Sequence, residues 1–178
     1  MARQVRVQIP ERDQDFRDAR NLLHYIIKRV IPGAPDPTPV QYDICSTMQT
    51  AIEPVVFGQQ APAAQTRLVI EGFRGVAKSL IASVMTIWGL YWNPNLNFLI
   101  VSASKERADA FSTFTLRCIR ELPALQWMQP GENSRDSMLA FDVGQAPAAH
   151  APSVKSVGIT GMITGSRADI IIADDIEV

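Results

Sequence analysis

The sequence is poor in cysteine and histidine. Cys45, Cys118, His24 and His150 are the only residues of these types among 178. None stands at the spacing of a zinc ligand set, and two isolated thiols make no disulfide framework. Two reduced thiols and two structural or solvated histidines are expected. Long apolar runs are also missing. The most apolar stretch, Leu80 to Trp92, falls short of the ~20 residues a membrane span needs and reads as a buried helix. The opening MARQVRVQIPERDQDFRDAR has no apolar core of the kind a secretory leader carries, so a cytosolic, non-membrane protein is expected. An excess of one charge is lacking too: 17 basic side chains face 18 acidic ones, a net charge of −1. A dedicated nucleic-acid-coating protein would be basic. The balance still leaves room for a local basic stripe.

What is present is an ordinary globular mixture, 47% hydrophobic and 20% charged, long enough for one domain with a core. From Glu11 to Val30 apolar residues (Phe16, Ala19, Leu23, Ile26, Ile27, Val30) recur at helical spacing. Ile31-Pro32-Gly33 ends that helix, and a proline-rich connector follows to Pro39. Gln41 to Ile52 is expected to be a short helix, and Gly58 to Ala64 a second connector.

From there strand-like and helix-like runs alternate. Arg67–Glu71 reads as a strand, Lys78–Trp92 as a helix, Asn97–Ser102 as a buried strand and Lys105–Leu122 as an amphipathic helix. Met138–Val143, Val154–Ile159 and Ile170–Ala173 read as three more strands. Such alternation predicts an α/β fold, a mainly parallel sheet with helices on both faces. The helical lead-in and connector, residues 1–37, would precede a main domain over residues 38–178.

Two segments carry chemistry. In RLVIEGFRGVAKSLIASV, Gly72, Lys78 and Ser79 stand at the spacing G-x-x-x-x-G-K-[ST], with Ala77 in place of the second glycine. The loop Gly72-Phe73-Arg74-Gly75-Val76-Ala77-Lys78-Ser79-Leu80 would wrap backbone N–H groups around phosphates at a helix N-terminus. Lys78 would reach the β- and γ-phosphates of ATP, and the Ser79 hydroxyl would ligate Mg²⁺. Ala77 fits this loop if its backbone is helical, which is assumed. The bland alternative is an exposed first helical turn.

The second segment is SRADIIIADDIEV. Its apolar run delivers Asp174 and Asp175 to a strand end, as a Walker B strand does, where Asp174 would hold Mg²⁺ through water. Asp175 by adjacency, or Glu177 close behind, would polarise the attacking water. The alternative is a buried strand capped by solvated acids. The two segments in this order point to a P-loop ATPase. Arg74 is either a γ-phosphate contact or a solvated loop residue, and Arg167 is a weaker candidate for the same task. Ser102-Ala103-Ser104 ends a core strand where ligands bind in open sheets, although an N-cap by Ser104 is preferred. Trp88, Trp92 and Trp127 read as packing residues.

With GFRGVAKS followed by VGITGMITGSRADIIIADDIE, the chain resembles the terminase large subunit of short-tailed phages over about residues 38–178. The resemblance implies a RecA-like (ASCE) P-loop fold and an ATP-driven motor. It also implies double-stranded DNA, a portal protein and a small terminase subunit as partners. A homo-oligomeric ring in the host cytoplasm, docked transiently on a procapsid portal, would go with them. By the same match Arg74 would act at the γ-phosphate. Gln41, whose amide offers a donor and an acceptor, would sit by adenine. Such subunits carry more ATPase core and a nuclease domain after the acidic strand. An N-terminal part of a longer or split product is therefore expected, with the ATPase domain incomplete at its C-terminal end. Another nucleic-acid-dependent, helicase-like ATPase and a non-catalytic nucleotide-binding or assembly piece are the competing readings.

Overall fold

The computed structural model describes residues 12–59, 67–161 and 165–176. A 3₁₀ turn at Gln14–Arg17 leads into α1 (Ala19–Val30), α2 (Pro39–Val56) and α3 (Lys78–Trp92). Then come β1 (Phe98–Ser102), α4 (Lys105–Glu121), a 3₁₀ turn at Pro123–Met128, β2 (Ala140–Phe141), β3 (Val154–Gly158) and β4 (Ile170–Asp174). The sheet order is β2-β3-β1-β4. β1 pairs parallel with both β3 and β4, and only the short β2 runs antiparallel. The expected mainly parallel α/β sheet is present in this four-stranded form.

Local chemistry explains the boundaries. Asp18 caps α1, accepting from the Arg20 N–H at 2.9 Å. α2 starts two residues ahead of expectation, because Pro39 suits a first helical turn and Thr38 forms a capping box with Gln41. α3 is buried at every position from Ile81 to Tyr91. Its Ser83 and Thr86 hydroxyls avoid an unpaired burial by donating to the carbonyls of Ser79 and Ala82, each at 3.0 Å. Gly89 lets the helix close on the sheet: a Cβ there would lie 2.6 Å from Cζ of Phe98.

The core gathers Leu22, Leu23 and Ile26 of α1, Cys45 of α2, Trp88 of α3 and Ile119 of α4 onto Phe98, Ile100, Val154 and Ile170 of the sheet. All four helices thus join one core on one sheet face. The expectation of helices on both faces is corrected for the described residues. Side chains alternate along a strand, so Leu99, Val101, Ile171 and Ala173 project to the other face.

Two strand expectations also change. β4 has β1 on one side, and no described strand lies on the other. Its Ile171 is 64% exposed, although the apolar run read as a strand that a sheet would bury. Arg67–Glu71 forms no strand. Val69 is 83% exposed, and the segment borders a shallow cleft with Val40 and Ile44 of α2. A β-prone stretch gains its hydrogen bonds only from a neighbouring strand, and this one lies against a helix instead.

Candidate functional site

The chain reverses between α3 and β1 through a turn closed by the Leu96 N–H donating to the Asn93 carbonyl at 3.2 Å. The C-terminal end of α3 therefore lies beside the first residue of β1, as the Gly89–Phe98 approach requires. At 1.5 Å per residue α3 is about 22 Å long, enough to run the full length of a strand. Its first turn and the preceding loop thus sit at the carboxyl edge of the parallel strands. Asp174 is at that edge too, in register with Ser102. Alternation puts Asp174 on the face of Ile170 and Ile172, which pack against the core that holds α3. The two chemistry-bearing segments, distant in sequence, meet at one edge of the sheet. Among the described residues no hydrogen bond or ion pair joins them directly.

Gly72, Phe73, Arg74 and Gly75 are exposed, Phe73 to 70%, while Val76 beneath them is buried. The loop is held by three ties. A Cβ on Gly72 would lie 3.3 Å from Cγ1 of Val76, so that side chain packs under the turn. The Lys78 Nζ donates to the Gly72 carbonyl at 2.8 Å. The Gln41 Nε2 donates to the Val76 carbonyl at 3.2 Å. Ser79 is exposed at the helix start, Leu80 is half-buried behind it, and Arg74 points from an exposed stretch.

Ala77 overturns an assumption. Its backbone is left-handed, φ 67° and ψ 40°, not helical. That region costs a residue with a Cβ about 1–2 kcal/mol and favours glycine, which the motif has at this place. Asp175 is also left-handed, φ 48°, a conformation that aspartate tolerates. These are the two non-glycine residues with positive φ among the described residues, and each lies in one of the two segments. Strain of this kind collects at functional sites.

α3 and α4 both begin at this edge, but differently. At α4 the Ser104 hydroxyl accepts from the Arg107 N–H at 3.3 Å, so the preferred N-cap reading of Ser104 holds. The Glu106 carboxyl is held below its ordinary value, first by its own backbone N–H and then by Ser104. At α3 no side chain caps the first turn. Its leading amides are open to an anion, with Lys78 and Ser79 alongside.

Two further residues join the edge. Arg107 Nη1 approaches the Asp175 carboxylate at 3.8 Å. Sequence reading missed Arg107, although its place in the first turn after a strand end was a usable signal. The Ser102 hydroxyl is fully buried and without a partner. Opposite Asp174, it has a hydrogen bond to give to a ligand or its water shell. Arg167 is exposed ahead of β4, and Glu177 lies outside the described residues. The described residues hold no cluster of three or more acidic, histidine or cysteine side chains fit to bind a metal. A single carboxylate plus Ser79 suits an ion whose other ligands are phosphates and water. Burial pushes the Cys45 and Cys118 thiols up to about 12, so neither is a nucleophile. No helix among the described residues is long and apolar enough to cross a membrane.

No protein-family model matches the chain. Over 112 residues it is 54% identical to the large subunit of terminase from Enterobacteria phage T3, a match that takes in 63% of this chain. The matched stretch is 19% of that phage protein's length. The resemblance read from the motifs is thereby shown: the chain is similar to a part of a terminase large subunit.

Proposed function

We propose that the chain binds Mg²⁺–ATP at the carboxyl edge of its sheet and hydrolyses it as part of a motor that drives double-stranded DNA into a procapsid. The observation that carries this reading is the uncapped start of α3, behind a glycine-containing loop and on the same sheet edge as Asp174. The fit to the nucleotide rests on those open amides and on the unpartnered Ser102 hydroxyl. The likeness to the phage T3 subunit supplies the process, DNA packaging. A P-loop, RecA-like fold, a portal and small-subunit partner and a ring assembly in the host cytoplasm belong to the same proposal.

The chain's own residues divide the work. Amides of Gly72 to Ser79 receive the β- and γ-phosphates. Lys78 exchanges its contact with the Gly72 carbonyl for phosphate oxygens, and a mobile ammonium suits that exchange. Ser79 and Asp174 would hold Mg²⁺, Asp174 through water. When bound, Mg²⁺ neutralises charge building on the phosphate oxygens. Asp175 orients the attacking water, with the Arg107 guanidinium 3.8 Å from its carboxylate; Glu177 is the rival for that role. Arg74, exposed on the loop, offers a cation to the γ-phosphate.

The test is steady-state phosphate release from ATP by the whole chain, with and without Mg²⁺ and double-stranded DNA. Mg²⁺-dependent turnover that rises with DNA supports the motor. Nucleotide binding without turnover under every condition would reduce the chain to a nucleotide-holding assembly piece.

A further inference from the structure

We propose that Ser102 is a positioning residue for Asp174: its hydroxyl orders the carboxylate and the water through which that carboxylate holds Mg²⁺. The role rests on the nucleotide-site reading above.

Ser102 breaks a rule that the other buried hydroxyls keep. In the helices, Ser83, Thr86 and Thr115 each donate to the carbonyl one turn back, at 2.9–3.0 Å. Beside and within β3, Ser153 Oγ accepts from the Val143 N–H at 3.1 Å, and Ser156 Oγ donates to the Leu139 carbonyl at 3.4 Å. Ser102 is 0% exposed, and its Oγ has no partner. A strand offers no carbonyl one turn back, and the Ser102 carbonyl itself already accepts from the Ile159 N–H at 2.8 Å. A fold does not bury a hydroxyl unpaired without a reason, because its lost hydration goes uncompensated.

The place of the orphan supplies the reason. Ser102 follows Phe98 and Ile100 on the core face of β1, and Asp174 follows Ile170 and Ile172 on the same face of β4. The two are in register across neighbouring parallel strands, which lie about 4.8 Å apart. One rotamer change brings a serine hydroxyl and a carboxylate to hydrogen-bond distance across such a gap. A serine oxygen has one hydrogen to give and two lone pairs to accept with. Its O–H suits the Asp174 carboxylate, and its lone pairs suit a water bound to a cation, since such a water can only donate. An alanine at this position would fill the same space and do neither.

Ser102→Ala tests the role through two readouts, urea unfolding of the ligand-free chain and affinity for ATP with Mg²⁺ and with EDTA. The inference requires the ligand-free variant to unfold at an equal or higher midpoint, because an unpaired buried hydroxyl has been removed. It requires affinity to fall about fivefold with Mg²⁺, the scale of one hydrogen bond, and to stay unchanged in EDTA. In an Asp174→Asn background the same substitution should cause no further loss. A lowered midpoint overturns the inference, since it would show the hydroxyl bonded within the fold. Equal Mg²⁺–ATP affinity, or an equal loss with and without Mg²⁺, also overturns it and leaves the nucleotide reading standing. If the unaltered chain binds no ATP under either condition, the nucleotide reading fails and takes this role with it.

Discussion

Two helices start at the same edge of one sheet, and they treat their first turns in opposite ways. α4 covers leading amides of its own with Ser104 and Glu106. α3, whose body is the most buried helix of the molecule, leaves its start uncapped behind a strained loop. Every helix begins with unsatisfied N–H groups, and a fold normally covers them locally. Where a well-packed helix does not, its start is free for a ligand. The contrast makes α3 the binding end and α4 the structural one, although both lie beside the same strand tips.

The largest effect that could break this contrast is ligand stabilisation. At a concentration a hundredfold above its dissociation constant, Mg²⁺–ATP should stabilise the chain by about 2.7 kcal/mol. Hydrogen exchange should show protection of the first turn of α3 and none at α4. Protection at α4 would reverse the assignment. Next in size, Ser104→Ala should destabilise the chain by about 1 kcal/mol in urea unfolding and leave ATP affinity unchanged, since it removes a cap and no ligand contact. Ala77→Gly should act in the other direction. It relieves a left-handed alanine and should raise the unfolding midpoint by a gain of about 1 kcal/mol. A loss on that substitution would mean that the turn is not strained.

The smallest effect is a pH dependence at α4. Glu106 titrates below its ordinary value of 4.5 in the folded chain, chiefly through its own backbone N–H. A depressed carboxyl contributes stability that is full above its unfolded value and is lost as pH falls through the folded one. Amide shifts of Glu106 and Arg107 should therefore move together on acidification below that ordinary value, while those of Lys78 and Ser79 stay still.

Much of this contrast was legible in the residues. The limits of α3 follow from the buried apolar run between Ala77 and Asn93, and β1 from the run before Ser102. The loop's spacing marked its place at the head of a helix. Three things could not be read so directly. Arg67–Glu71 has the composition of a strand, but strand formation depends on an open edge elsewhere, and here it lies along α2. β4 has nearly the composition of β1, yet β1 is buried at every position and β4 is not. Burial belongs to a strand's place in the sheet, not to its residues. The backbone at Ala77 is set by the loop as a whole, so alanine's own preference misleads. Thr38-Pro39-Val40-Gln41 has the spacing of a capping box, a signal in the sequence that the reading of Gln41 as an adenine contact passed over.

The central claim is that the open start of α3 is a phosphate site. It is tested most directly by titrating Mg²⁺–ATP into the unaltered chain and into Lys78→Ala, with urea unfolding of both. Lys78 opens α3 and its side chain holds only the Gly72 carbonyl, so the account predicts near-equal stability and at least a tenfold loss of affinity, about 1.4 kcal/mol. Equal affinity in two equally stable chains would contradict it, because a phosphate bound in this loop must meet Lys78.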